Sequence, residues 1–131
     1  MIVGCAVIIQ KNQILLLKKA YGYFKDKYEF PGGKLHENET IQECIIREVK
    51  EEINCDCKIN KFLCTDIIQK EEINIKEDIT LYFYQVQIND FSNIKLSNEH
   101  TEFIWTPINN AKNLNIIKWD YKIFQFLEQN F

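Results

Sequence analysis

Arginine is almost absent from this chain: fifteen lysines accompany a single arginine, Arg47. Where a plain positive charge suffices lysine is used, so the lone guanidinium marks a place where a planar fork that grips carboxylates is wanted. Long apolar runs are missing as well. None approaches the roughly 20 residues that span a bilayer, and the N-terminal stretch MIVGCAVII has neither a basic leader nor a small-residue cleavage site. The expectation is a mature cytoplasmic protein without a membrane partner. No cluster of Lys and Arg occurs and the formal net charge is -3, which argues against a nucleic-acid surface and for a small partner. CxxC spacing is absent too, and Cys5, Cys44, Cys55, Cys57 and Cys64 are odd in number. They are expected to be reduced, mostly buried thiols, with Cys55 and Cys57 too close together for a zinc knuckle. There is no repeat, linker or low-complexity tract, and 131 residues suit one domain spanning 1–131.

What is present reads as strands, helix, strands, helix. Val3 to Ile9 and Ile14 to Leu17 are nearly all apolar around the polar turn Gln10 to Gln13, the pattern of a hairpin of well-buried strands. Ala20 to Lys27 reads as a loop, and the Pro31-Gly32-Gly33 that follows is expected to stop any regular element and let the backbone approach a ligand. Thr40, with Glu43 three residues on, has the pattern of a capping box opening a helix that runs to about Ile53, where Asn54 can take the left-handed terminating conformation. Lys61 to Gln69 and Ile79 to Gln87 read as strands, the second with both faces covered. Phe103 to Thr106 reads as a short strand stopped by Pro107. After the polar stretch Asn109 to Asn115, Ile116, Ile117, Ile123, Phe124 and Leu127 suggest an amphipathic C-terminal helix. The fold class is α/β, a mixed sheet with helices packed on it.

The central helix carries glutamates where apolar residues belong. At about 100° per residue from Ile41, the residues Ile45, Val49 and Ile53 fall at about 40°, 80° and 120°, while Glu48 and Glu52 fall at about 340° and 20°, within the same arc. With Glu51 beside them, three like charges share one patch. Burying such a cluster uncompensated costs several kcal/mol or forces protonation. A hard divalent cation, Mg²⁺ or Mn²⁺, supplies the compensation, since it prefers oxygen ligands and bridges to substrate phosphates. Arg47, on the other flank, is placed to hold Glu39 or Glu43 as a support. Lys34 lies where a cation can meet a phosphate or a reacting water.

These residues resemble a known pattern. Gly33, five residues, Glu39, seven residues, Arg47-Glu48-Val49-Lys50-Glu51-Glu52, one residue, Asn54 and an apolar Cys55 are similar to the Nudix box of the Nudix hydrolases. Tyr28 to Lys34, Ile79 to Phe83 and the overall length resemble the MutT-like branch, which hydrolyses nucleotides. The resemblance implies a Nudix fold, an α/β/α sandwich on a mixed sheet with a central box helix, and hydrolysis of a nucleoside triphosphate to the monophosphate and pyrophosphate, in nucleotide-pool sanitation. It implies Glu48, Glu51 and Glu52 as metal ligands, Glu48 or Glu52 orienting or deprotonating the water, and a backbone carbonyl from Gly33. A further carboxylate is expected from a later loop, Glu99 first and Glu102 second. Lys19, Phe30 as a stacking surface and Asp120 as a reader of the base edge are the implied substrate contacts, in a monomer or homodimer. The alternatives are a nucleoside diphosphate linked to another moiety as substrate, and a non-catalytic nucleotide-sensing module. Two positions depart from the pattern: Asn54 and Asn38 stand where glycine is usual, and asparagine is the non-glycine residue best suited to positive φ.

Overall fold

The structure is a computed structural model that describes residues 1–73, 75–117 and 121–131. The hairpin expected at the N-terminus is formed by β1 (Ile2–Gln10) and β2 (Gln13–Lys19). Lys11 and Asn12 both have positive φ, 52° and 62°, the backbone of a two-residue turn whose twist matches that of the flanking strands. The two strands pair only next to this turn, at Ile9 with Ile14 and Gln10 with Gln13. They then diverge, and each recruits its own partners.

Along one edge β1 pairs in parallel with β6 (Ile79–Gln87), and β6 pairs antiparallel with β5 (Lys58–Ile68). Along its other edge β1 first receives β4 (Gly32–Lys34), with Cys5 opposite Gly32 and Val3 opposite Lys34. The second strand, β2, pairs antiparallel with β3 (Tyr28–Glu29) and with β7 (His100–Pro107). The sheet is mixed, with the parallel pair β1–β6 near its centre.

Apolar residues crowd β1 and β2 because both faces of the sheet are covered. On one face Cys5, Val7, Ile14, Leu16 and Phe83 pack with Ile123, Phe124 and Leu127 of the C-terminal helix α4 (Tyr121–Asn130). On the other, Ala6, Ile8, Leu15 and Leu17 pack with Ile45, Val49 and Ile53 of α1 (Ile41–Ile53). Each fully buried leucine or isoleucine contributes roughly 1.5–3 kcal/mol of transfer free energy. The chain is thus a helix–sheet–helix sandwich, as expected, with α1 alone on its face of that core.

Local signals set the ends of α1. Thr40 caps it through a complete capping box with Glu43, and Asn54 closes it at φ 59°. Asn38, at φ 64°, takes positive φ as Asn54 does, so both asparagines standing for glycine occupy the conformation that glycine would supply. Loop backbone then satisfies the exposed carbonyls at the helix end: Lys95 N–H donates to Ile53 O at 3.1 Å and Ser97 N–H to Glu52 O at 3.1 Å.

Several boundaries differ from the sequence expectation. Gly32 and Gly33 do not interrupt regular structure; with Lys34 they form β4, where a side chain at Gly32 would strike the Gly4 carbonyl of β1 and one at Gly33 the Glu48 carboxylate of α1. The strand expected from Phe103 starts at His100, where its backbone still pairs with β2 across an irregularity at Lys18 and Lys19. A helical turn, α3 (Ile108–Ala111), occupies part of the polar stretch, buried through Ile108 and Ala111. Another, α2 (Lys70–Ile73), lies in the charged connection after β5. Ile116 and Ile117 are buried ahead of α4 and not on it. The outward residues Tyr82 and Tyr84 of β6 are half-buried, so its second face is only partly covered. Among the described residues no helix is long and apolar enough to cross a membrane. Cys5, Cys44 and Cys55 are buried, and Cys57 and Cys64 half-buried.

A Cβ placed on Gly32 would sit 2.1 Å from the carbonyl oxygen of Gly4, a backbone atom that cannot rotate away. Gly32→Ala is therefore expected to lower unfolding stability in urea by about 1–3 kcal/mol. An unchanged midpoint would show that β4 does not lie this close to β1.

Candidate active site

The site begins with α1 lying against β4. Glu52, 2% exposed, accepts a hydrogen bond from Gly32 N–H at 2.7 Å through Oε1. Glu48, 9% exposed, lies under Gly33, where an added Cβ would fall 2.4–2.7 Å from its carboxylate atoms. Glycine at 33 is thus required by space, since any side chain would occupy the volume of the carboxylate. The Gly33 carbonyl accepts a weak bond from Cys44 Sγ at 3.5 Å.

Arg47 ties this arrangement together. Its Nε and Nη2 grip Glu39 in a fork at 2.7 and 3.0 Å, Nη2 also donates to the Lys34 carbonyl at 3.1 Å, and Nη1 donates to Glu48 Oε1 at 2.8 Å. One guanidinium therefore links the approach to the helix, strand β4 and an inward carboxylate, work that an ammonium's point charge cannot do. The Arg47 hydrogen bonds, with that from His36 N–H, hold the Glu39 carboxyl down at about 2. Of the two partners expected for Arg47, Glu39 is the one engaged; Glu43 is used in the capping box. Glu51 is exposed and reaches Arg47 Nη1 at 3.3 Å.

Burial dominates the electrostatics of the inward pair. It pushes the Glu48 carboxyl up against the opposing pull of Arg47, with Glu51 and Glu99 adding to the rise. It pushes Glu52 well up, opposed by the Gly32 N–H and reinforced by Glu29, Glu48 and Glu99. Glu48 and Glu52 are thus made costlier to ionise by burial and by the carboxylates around them, the condition that a bound cation relieves.

Glu48 and Glu52 open on a cavity of about 360 Å³. Lys19, Glu29, Lys34 and Glu99 supply the rest of its charged lining, and Val3, Cys5, Phe30, Ile79 and Leu81 its apolar lining. Of the residues singled out in the sequence, Lys19, Phe30, Gly33, Lys34, Glu48, Glu52 and Glu99 all reach this one cavity. Phe30 is 4% exposed and packs its ring against Phe124 and Phe83 at 5.4 and 5.8 Å, so most of it belongs to the core. Lys19 Nζ lies 3.3 Å from Glu29 Oε2. Glu102 accepts a hydrogen bond from the Tyr28 hydroxyl, which leaves Glu99 as the loop carboxylate beside Glu52. Asp120 lies outside the described residues.

Two residues at the site escaped the sequence reading. His100, 4% exposed, sets Nε2 at 2.8 Å from Glu29 Oε2, and its Nδ1 faces Glu52 Oε2 at 3.7 Å. Donor atoms of Glu52, Glu99 and His100 lie within 4.8 Å of one another. Glu29 ends β3 beside Phe30 and His100 directly follows Glu99, but nothing in their local sequence announces that they meet across 71 positions. The donor set suits a divalent cation: Glu48, Glu52 and Glu99 supply oxygen, they lie close enough to disfavour joint ionisation, and a buried imidazole nitrogen beside them has no partner.

Comparison with known proteins agrees with this geometry. The Nudix domain model matches residues 1–127. The chain is 34% identical over 82 residues to an 8-oxo-dGTP diphosphatase of Buchnera aphidicola, covering 61% of this chain and 58% of that one. It is 37% identical over 57 residues to an ADP-ribose pyrophosphatase of Methanocaldococcus jannaschii, covering 44% and 34%. The chain thus spans about a third to somewhat over half the length of these curated relatives. The crystal structure of a MutT protein from Methanosarcina mazei superposes with a TM-score of 0.85 over 99% of this chain and 94% of that one, at 21% identity, a likeness of fold. With Glu48 and Glu52 of the box lining one cavity on this sandwich and the domain match running from residue 1 to 127, the chain belongs to the Nudix family.

Proposed function

We propose that this Nudix protein hydrolyses a nucleoside triphosphate to the monophosphate and pyrophosphate with Mg²⁺ or Mn²⁺, in the manner of a nucleotide-pool sanitation enzyme. The observation that carries the reading is the buried pair Glu48 and Glu52, opening on a cavity lined by both charged and apolar side chains. The resemblance to an 8-oxo-dGTP diphosphatase over 61% of the chain supports a triphosphate substrate.

In this reading Glu48, Glu52 and Glu99 hold the cation, with Glu51 and the Gly33 carbonyl as further oxygen donors at its edge. The cation, when bound, neutralises phosphate charge and makes water a stronger nucleophile at neutral pH. Arg47 is a positioning residue: by gripping Glu39, the Lys34 carbonyl and Glu48 together, it keeps the Glu48 carboxylate aimed under Gly33. Glu52, fixed by Gly32 N–H through one oxygen, keeps the other for the cation or for the attacking water. Lys34 and Lys19, at the cavity wall, meet the phosphate chain, and the apolar lining residues Phe30, Leu81 and Ile79 take the base. Asp120 is assigned to the base edge on the resemblance alone.

The ADP-ribose pyrophosphatase among the relatives favours a second reading, cleavage of a nucleoside diphosphate linked to another group. A panel of canonical and oxidised nucleoside triphosphates, ADP-ribose and dinucleoside polyphosphates, each with Mg²⁺ and with Mn²⁺, separates the two. Pyrophosphate plus a monophosphate is expected; two monophosphates would support the second reading, and no turnover of any compound would overturn both.

Glu52→Gln is expected to lower kcat at least about 10²-fold, as loss of a positioned acid–base or ligand group does. In chelator-treated protein the same substitution removes a buried charge from a like-charged cluster and raises Tm by about 3–5 °C, what ~1 kcal/mol is worth in a domain of this size. The stabilisation that Mg²⁺ confers on the wild type should be absent from the variant. An unchanged Mg²⁺ shift would remove Glu52 from the site. Arg47→Lys keeps the charge but loses the fork, and is expected to reduce kcat about tenfold or more with little change in KM; wild-type kinetics would show that orienting Glu48 does not matter.

A further inference from the structure

His100 is the buried polar side chain that the proposed reaction leaves without a task. Its side chain is inaccessible to solvent. Among the described residues its Nδ1 is the buried side-chain nitrogen or oxygen that lacks a hydrogen-bond partner, a state that folded proteins avoid unless something else occupies the position.

The surrounding bonds determine which ring nitrogen carries the proton. Nε2 lies 2.8 Å from Glu29 Oε2, an oxygen that Lys19 Nζ also approaches at 3.3 Å. That oxygen acts as an acceptor, so the network places the proton on Nε2 and leaves a lone pair on Nδ1. The lone pair faces Glu52 Oε2 at 3.7 Å, too far for a hydrogen bond, and a Glu99 oxygen stands within 4.8 Å of both. Three acceptors converge with no proton donor between them. Two donors each about 2.1 Å from one cation can lie up to ~4.2 Å apart, so the 3.7 Å between Nδ1 and Glu52 Oε2 admits a shared ion, with Glu99 a small side-chain movement away. The Glu29 carboxylate behind the ring is the arrangement that orients and strengthens a metal-binding imidazole.

We infer that His100 Nδ1 is a metal ligand, joining Glu52 and Glu99 in a mixed nitrogen and oxygen site that favours Mn²⁺ or Co²⁺ over Mg²⁺. The inference rests on the carboxylates holding a divalent cation and goes beyond it in the nitrogen donor. Imidazole is a softer ligand than carboxylate, and its preference follows the order of divalent affinities from Mn²⁺ upward, whereas Mg²⁺ is served by oxygen alone. Glu29 becomes a positioning residue, holding the ring through Nε2, and Lys19 fixes Glu29 in turn.

The test uses the full chain, stripped with chelator and reloaded with one equivalent of Mn²⁺. Electron spin-echo envelope modulation is expected to show ¹⁴N coupling that changes isotope signature when the protein is labelled with ¹⁵N-histidine. The coupling should persist in His36→Gln, which alters the chain's other histidine, and vanish in His100→Asn. Calorimetry should show His100→Asn weakening Mn²⁺ binding about tenfold or more and Mg²⁺ binding less than about threefold, which lowers the Mn²⁺ preference. If the variant does not fold, as judged by its circular dichroism melt, the isotope experiment on wild-type protein decides alone. Bound Mn²⁺ without ¹⁴N coupling would overturn the nitrogen ligand while leaving the carboxylate site intact. Failure of the wild type to bind Mn²⁺, or binding that survives Glu52→Gln undiminished, would overturn the carboxylate site itself.

Discussion

Burying Glu48 and Glu52 on the inward face of α1 is the constraint around which this protein is built. A carboxylate pair in that position is costly, and the neighbouring residues are arranged to meet the cost. Gly33 yields the volume of a side chain to Glu48, and Gly32 offers its N–H to Glu52. Arg47 binds Glu48 while anchoring itself on Glu39 and the Lys34 carbonyl. The compensation is partial: both carboxyls remain raised, chiefly through burial. The residual electrostatic strain is what makes the cluster receptive to a cation.

The sheet brings the remaining groups to the same place. Because β1 and β2 pair only beside their turn, β1 leaves an edge free for β4, which carries the glycines over α1. The other hairpin strand takes β3 on one side and β7 on the other, and this brings Glu29 and His100 together. The loop before β7 is fastened to the last carbonyls of α1, which sets Glu99 beside Glu52. Three separate stretches of chain thus deliver donors to one cavity, each fixed by backbone pairing. Such placement on regular elements gives a site its precision.

Glu39, Glu48, Glu51, Glu52, the two glycines and Arg47 belong to the short segment from Gly32 to Cys55, and their contacts depend on helix geometry and one strand pairing, while Glu29 and Glu99 reach the cavity from outside it. The apolar lining of the cavity comes instead from β1, β6 and the residue before Pro31.

What the sequence by itself determined is whatever depends on neighbours along the chain. The capping box at Thr40, the left-handed Asn54, the inward arc of α1 with its two misplaced glutamates and the double-sided apolar strands all follow from local periodicity and residue chemistry, and all are present. Gly32 and Gly33 read in sequence as a break, because a strand without side chains has no periodic signal; only the closeness of the Gly4 carbonyl in β1 and of the Glu48 carboxylate in α1 explains them. The helical turn α3 was hidden in polar residues, and its two buried side chains are fixed by packing against α4. His100 and Glu29 were beyond sequence reading altogether. Their meeting depends on a strand pairing between residues far apart, and the unpaired Nδ1 exists only because that pairing turns the ring toward Glu52. Local interactions determined where charge would be buried; long-range pairing decided which donors share that burial.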